Sequence, residues 1–579
     1  MAKTEFPITQ GRAHLAILSD NNEVECIAYV VKATITEQFG RISSAEIVLD
    51  DGGFCDDDFA IGNSSEMLIG KTVEIGVGYG SKHETVFKGV VIRQRVRISA
   101  GHNELVITAK HEAVKMTRVR QNRCHSDMSD SDIAKQLAQN YGIDITIDDT
   151  ALKHETMMQF NATDWDFLNL RVEANALMLY CGADSLVAIK PDVNADPVLE
   201  IHNGYNLVSL DAEIDASLAF DSYAARSWNY KSQEVDEEEL TAGECDANQG
   251  NLRHNDMRDA IGAEKFTILS DNMGTDSALL TAHNDTAATH HALARISGSL
   301  AFPGHAKVHP GDIVRLDRCG GRLNGNAFVT AVTHEVNGAI WTTSLQMGTD
   351  GVPFAERYPN ISSLPANGCL PHTNGLQIGV VEQLEGDPQG EERILVRLHN
   401  GDDVTLWARI ATPHAGDNRG VCFAPEIGDE VVVAFVNDNP NLAIVLGAMH
   451  SSGKPMPAPL CNDNNIKGIF SREGLKMEFD DDKKAITIAT PGGNTITLSD
   501  DAKGIALEDQ NGNKITMNDS GITISSQKAI SIEASQDLSM KGANVAAEAQ
   551  QGFKATGNTG AEVSTSATAV LKGSLVQIN

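Results

Sequence analysis

The chain has 579 residues, 41% hydrophobic and 22% charged, a composition that folds rather than staying disordered and is long enough for about three or four domains. Its 79 acidic against 46 basic residues leave a formal charge of −33, a field that repels phosphate backbones and anionic lipid surfaces, so no nucleic acid partner is expected. Nine scattered cysteines without a Cys-x-x-Cys pair fit free thiols, and neither a signal-like start nor a run of 18 apolar residues occurs, so synthesis in the cytoplasm is expected.

In chain order, the first third carries period-two runs bounded by Gly, Asp and Asn at 14–20, 27–36, 44–51, 72–80, 85–99 and 104–116. Such runs predict antiparallel strands of a barrel or sandwich. Two helices interrupt them. Over 128–143, Ser129 and Asp132 can form a capping box, Ile133, Leu137 and Tyr141 line one face, and Gly142 stands where a helix stops. Over 161–180, Thr163 and Asp166 repeat the device, with Trp165, Leu168 and Val172 as the stripe. The acidic stretch from about Val235 to Ala260 is expected to be an exposed loop. Strand patterning resumes over 313–319, 327–336 and 342–348, and the Pro-, Gly- and Ser-rich segment 362–375 marks a domain boundary.

Five short strands follow, Leu376–Val381, Ile394–Leu398, Val404–Ile410, Glu430–Phe435 and Ala443–Ala448, separated by turn residues. They suit a small closed barrel such as an OB-fold. A Pro/Gly/Ser linker, 451–459, leads into a repeating pattern of apolar pairs. These are Ile486/Ile488, Ile496/Leu498, Ile505/Leu507, Ile515/Met517, Ile522/Ile524, Ile530/Ile532 and Leu538/Met540, then Val545/Ala547, Phe553/Ala555, Val563, Val570 and Val576/Ile578.

Residues i and i+2 of a strand share a face, so each run offers two inward side chains flanked by Thr, Ser, Lys, Glu or Asp. Two aliphatics do not offset the backbone entropy of ordering a whole run, so a rung cannot stand alone. Stacked rungs with full hydrogen bonding and one shared interior close the deficit. Beyond Phe479 the only aromatic is Phe553, so that interior is thin, which points to a narrow three-faced prism made by three intertwined copies. The fold class expected is therefore mainly β with a few helices, ending in a triple-stranded intertwined β-helix.

The segment 393–457 holds "VRL", "WARIATPHAG", "FAPEIGDEVVVAFVNDNPN" and "VLGAMHSSGKPMP", and it resembles the OB-fold of VgrG (valine-glycine repeat protein G) and phage baseplate spike proteins. "SREGLKMEFDDDKKAITI" (471–488) looks like the family's neck, and 163–192 is similar to its hub domain. The resemblance implies a phage-hub-like domain of two β-barrels with inserted helices over 1–365, an OB-fold neck over 370–455, and a neck linker with a trimeric needle over 456–579. It implies a homotrimeric hub and spike of a contractile injection system, either type VI secretion or an extracellular phage-tail-like particle. Such a spike connects the inner tube and baseplate to a PAAR-like tip protein, is able to carry effector cargo, and meets a membrane only transiently as it punctures the target envelope. Leu575, Val576 and Ile578, on the last rung, are the expected tip-protein contact.

No enzyme activity, cofactor or metal is expected. Between Gly453 and Ile486 there is room for a neck but not for an inserted lysozyme domain, and the chain stops at "SLVQIN" without an effector extension. "IGKT" (Ile69–Thr72) lacks the first P-loop glycine and "GVGYG" (Gly76–Gly80) lacks a βαβ context, so both read as strand or turn. His283, His290, His291, His305 and His309 read as packed or surface histidines rather than ligands. The barrel segment 371–450 holds 12 acidic and 4 basic residues and three large aromatics, Trp407, Phe423 and Phe435, which disfavours single-stranded nucleic acid. The rival reading is a trimeric phage tail fibre or a polysaccharide-degrading or polysaccharide-binding β-helix, which needs carboxylate pairs and aromatic sugar platforms that these rungs lack.

Overall fold

Each period-two run of the first third yields a strand in the computed structural model, which describes residues 11–52, 59–99, 102–242, 248–269, 277–399 and 404–578. The chain divides into two compact units, Met1–Asn374 with Asn437–Pro440, and Gly375–Val436 with Asn441–Asn579.

In the first unit, strands Ala13–Ser19, Val30–Gln38, Ser44–Asp50, Thr72–Tyr79, Lys82–Ser99 and His102–Lys110 enclose one core around Ile35, Ile47, Ile75, Phe87 and Ile107. Strands Leu199–His202, Ser209–Ile214, Ile296–Pro303, Ile313–Asp317, Gly325–Asn337 and Ile340–Met347 enclose another around Ile201, Phe302, Val314, Val332 and Leu345. Antiparallel pairing of Val30–Gln38 with Gly325–Asn337 joins both sets, with the short Asn22–Glu23 paired to Ala13–Ser19, into a single 13-stranded sheet. The two barrels expected of the hub are thus two cores on one continuous sheet.

The run read as a failed dinucleotide loop lies in a tight hairpin. A Cβ on Gly78 would sit 1.9 Å from the Lys82 carbonyl oxygen, so only glycine permits the approach of the next strand. Gly70 of "IGKT", at φ +95°, turns the chain into the strand that starts at Thr72.

The inserted helices α1 (Asp130–Gln139) and α2 (Asp164–Glu173) begin as their caps predict. Ser129 and Asp132 cap each other reciprocally, and the Thr163 hydroxyl accepts from Asp166 N–H at 3.1 Å. The first residue of each helix is a buried carboxylate held by an arginine. Arg171 donates to both Asp130 oxygens at 2.6 and 2.9 Å, while Asp164 receives Arg123, Tyr141 and Gln159. Burial alone raises the Asp130 pKa, yet the guanidinium contacts outweigh it and hold the carboxyl below its ordinary value.

The acidic stretch is not a loop. Glu234–Thr241 is a strand paired with Ser222–Asn229, which also pairs with Lys265–Leu269, and α3 (His254–Ile261) follows, while 243–247 lies outside the described residues. Cross-strand cations make this possible: Arg226 binds Glu237 at 2.9 Å and Lys265 binds Glu239 at 2.8 Å. Helix α4 (Ser277–Ala294), which the strand-oriented reading of the chain missed, packs on this sheet, and the brief α5 (Phe354–Arg357) follows further on. His290 and His291 are buried on α4, with His291 among Phe220, Tyr223 and Phe266.

Burial pushes His111 and His291 down to about 4 and His334 down to about 3, from an unfolded value of 6.5. Below pH 6.5 the unfolded chain takes up protons that the folded unit refuses, so stability is whole above that pH and is lost as pH falls toward 4. The melting temperature measured by calorimetry should fall by on the order of 10 °C or more between pH 7 and pH 4. A His291→Leu variant should show a shallower slope.

Candidate functional site

In the second unit, Gln377–Gln383, Ile394–Leu398, Thr405–Ile410, Glu430–Phe435 and Ala443–Ala448 close into a five-stranded barrel around Val381, Val396, Ala408, Val431 and Val445. Beyond it lie seven five-residue strands, Ile466–Phe470, Lys476–Asp480, Ala485–Ala489, Thr495–Ser499, Gly504–Glu508, Lys514–Asn518 and Gly521–Ser525, each paired antiparallel with the next. Sharp turns make the meander local. Asp509, for example, accepts from Asn511 N–H and Asn513 N–H, each at 2.9 Å, and these bonds with the Asn513 side chain bring its pKa down to about 2.

The register sets the predicted apolar pairs in two unbroken lines across the strands. One runs Phe479, Ile486, Leu498, Ile505, Met517, Ile522, and the other Met477, Ile488, Ile496, Leu507, Ile515, Ile524. All these residues share one face. On the opposite face Thr487, Thr497, Ala506, Thr516 and Thr523 oppose one another. Most of the aliphatic face is exposed, Ile488 at 43% and Ile522 at 71%, while Ile486, Leu507 and Ile515 are no better buried than Thr487, Thr497 and Thr516 opposite, all half-buried. A sheet that shows its aliphatic side to water has an association surface. An open concavity of about 780 Å³ lies along it, lined by Ile488, Ile496, Leu507, Ile515, Ile524 and Ile530.

Intertwining was expected from Ile486 onward, but up to Ser525 the rungs find their hydrogen bonds within the chain. Turns of two to five residues between five-residue strands let each strand fold back on its predecessor. The pattern changes after Ser525. Residues 526–578 form no strand and no backbone ladder within the chain. Their backbone bends at Gln527–Lys528, Ser535–Gln536, Ala543, Gln550–Gln551, Asn558–Thr559, Ser566–Ala567 and Ser574, a spacing of about eight residues.

Ile530/Ile532, Leu538/Met540 and Phe553/Ala555 fall three and five residues after the start of a bend. After Ser566 the same phase selects Ala569 and Leu571 rather than Val570, while Val545/Ala547 and Val576/Ile578 fall two and four residues after the one-residue bends at Ala543 and Ser574. Ile530, Ile532, Leu538 and Met540 are exposed, as are Leu575, Val576 and Ile578. Unpaired amides and bare aliphatics in one segment both call for neighbouring strands.

The other candidates form no site. Among the described residues no three His, Cys, Asp or Glu side chains converge on a common point, and no helix is long and apolar enough to cross a membrane. His309 instead binds buried Glu37 at 3.0 Å, a long-range pair that no local pattern signals. In the barrel Phe423 stands exposed while Trp407 and Phe435 are half-buried, so no stacking platform of three aromatics exists.

Comparison with known proteins follows this division. Residues 9–338 match the family model of the Alg8 N-terminal domain, 377–450 the type VI secretion system/phage-baseplate injector OB domain, and 485–579 the phage baseplate V C-terminal trimerisation domain. The type VI secretion system spike protein VgrG1b of Pseudomonas aeruginosa is 25% identical over 164 residues, covering 26% of this chain and 21% of the relative. VgrG4b of the same organism is 30% identical over 119 residues, 18% of this chain and 14% of the relative. The matches thus span about a fifth or less of these relatives' length. The 43 kDa tail protein of prophage MuSo2 from Shewanella oneidensis aligns with a TM-score of 0.45 at 9% identity, over 58% of this chain and 99% of that one.

Placing one charge per copy on the aliphatic face should block association. Ile524→Asp is expected to leave lone subunits in sedimentation velocity, because a charge buried without a partner costs several kcal/mol. Thr523→Asp, its neighbour on the opposite face, should sediment as the unmodified protein does.

Proposed function

This chain belongs to the family of VgrG and phage-baseplate spike proteins, with an Alg8 N-terminal domain over residues 9–338, and we propose that it is the homotrimeric hub and spike of a contractile injection system. The system is type VI secretion or an extracellular phage-tail-like particle. Residues 1–365 act as the hub on the inner tube and baseplate, 370–455 as the neck, and 456–579 as a needle that punctures the target envelope.

One observation carries the reading. The aliphatic lines from Ile486 to Ile524 are mostly exposed, and the backbone beyond them, bending every eight residues or so, is unpaired, in the very segment that matches a trimerisation domain. Three copies around an axis cover all three faces of such a prism at once. A rod wound in this way yields only by breaking many rungs together, so resistance to load is kinetic as well as thermodynamic. The role is mechanical and asks for no catalytic group or cofactor. The protein is made in the cytoplasm and delivered outside the cell or into the target.

Leu575, Val576 and Ile578 are assigned to a PAAR-like tip protein, because exposed aliphatic side chains on an unpaired, extended backbone invite capping. Sedimentation equilibrium should return three times the chain mass, and a well-folded lone subunit in dilute buffer overturns the proposal. Deleting residues 570–579 should abolish co-purification with a PAAR-like protein. Undiminished capture overturns the tip assignment.

A further inference from the structure

Between the barrel strands Thr405–Ile410 and Glu430–Phe435 the chain makes a long excursion, 411–429. It is a shaped strap rather than a loose loop. Ala415–Gly416 pairs with Arg419–Gly420, Val421 N–H donates to the His414 carbonyl at 2.9 Å, and the Thr412 hydroxyl donates to the same oxygen at 2.9 Å. Its base is tied down as well. Lys454 binds Asp429 at 2.9 Å, and Arg472 binds Glu426 at 2.7 Å.

The strap nevertheless buries none of its own apolar side chains. From Pro413 to Ala424 every residue is exposed, and Phe423 and Ile427 are 65% and 62% exposed. A backbone held in one shape while its aromatic residue faces water is a contact presented to something else. Its location says to what. Arg472 lies in the turn between Ile466–Phe470 and Lys476–Asp480, the first two strands of the sheet whose aliphatic face carries Met477 and Phe479 into the association surface. The strap is therefore continuous with that surface.

A receiving patch exists on the same barrel. In Ala443–Ala448, Ala443 and Val445 enter the core, while Leu446 and the adjoining Leu442 are exposed and a Cβ on Gly447 would meet nothing.

We infer that the strap of one copy lies on the Leu442–Leu446 patch of the next copy's barrel, with Phe423 as its anchor, so that the three barrels are clasped together above the needle. The inference rests on the trimeric reading and adds a second, separate seam to it. Cys422, exposed in the single chain and adjacent to Phe423, reports on the seam. Cys124 and Cys369, exposed and outside this unit, serve as references.

The test is iodoacetamide labelling of the intact full-length assembly, read by mass spectrometry, with sedimentation of the same sample. In assembled protein Cys422 should react about tenfold or more slowly than the faster of Cys124 and Cys369, and as fast as they do after denaturation. Phe423→Ser and, separately, Leu446→Asp should each restore rapid labelling of Cys422 while the needle still holds the copies together. Rapid labelling of Cys422 in the assembled, unmodified protein overturns the inference, as does protection that persists in either variant. Lone folded subunits in sedimentation instead overturn the trimeric reading itself.

Discussion

A stripe of aliphatic side chains that its own chain does not cover governs how this molecule is built. From Ala485 to Ser525 the backbone is satisfied by antiparallel neighbours, so only the side chains of Ile486, Ile488 and their partners lack cover. Past Ser525 the hydrogen bonds lack partners too. The two segments therefore place different demands on association, burial of one face in the first and a complete strand ladder in the second. The first can fold locally and set the register for the second, since contacts close in sequence carry the smaller closure entropy.

The first unit solves the opposite problem. Its cores are sealed within one chain, and its polar burial is compensated internally, with Asp130 matched by Arg171 and Asp164 by Arg123 at the starts of α1 and α2. Both carboxylates sit where the helix dipole also favours negative charge. A unit of this kind keeps its shape without partners. Beyond Ser525 the second unit has no ladder within the chain to hold a shape.

The barrel stands between these regimes. Its core of Val381, Val396, Val431 and Val445 is closed, yet it extends a fixed strap with Phe423 in water and tethers that strap through Glu426 to the turn that opens the needle.

Periodicity alone determined much of this protein. Strand alternation, the capping residues of α1 and α2, the five barrel strands and the aliphatic pairs from Ile486 to Met540 were all legible, because each depends on residues two to four apart. Tertiary structure decided what depends on distant partners. The acidic run 234–241 became a strand because Arg226 and Lys265 arrive from other strands to balance it. His309 met Glu37 across 272 positions, and one strand pairing fused two cores into a single sheet. The division at Ser525 was equally hidden: similar apolar pairs occur on both sides of it, and the turns decide whether a strand folds back on its own chain.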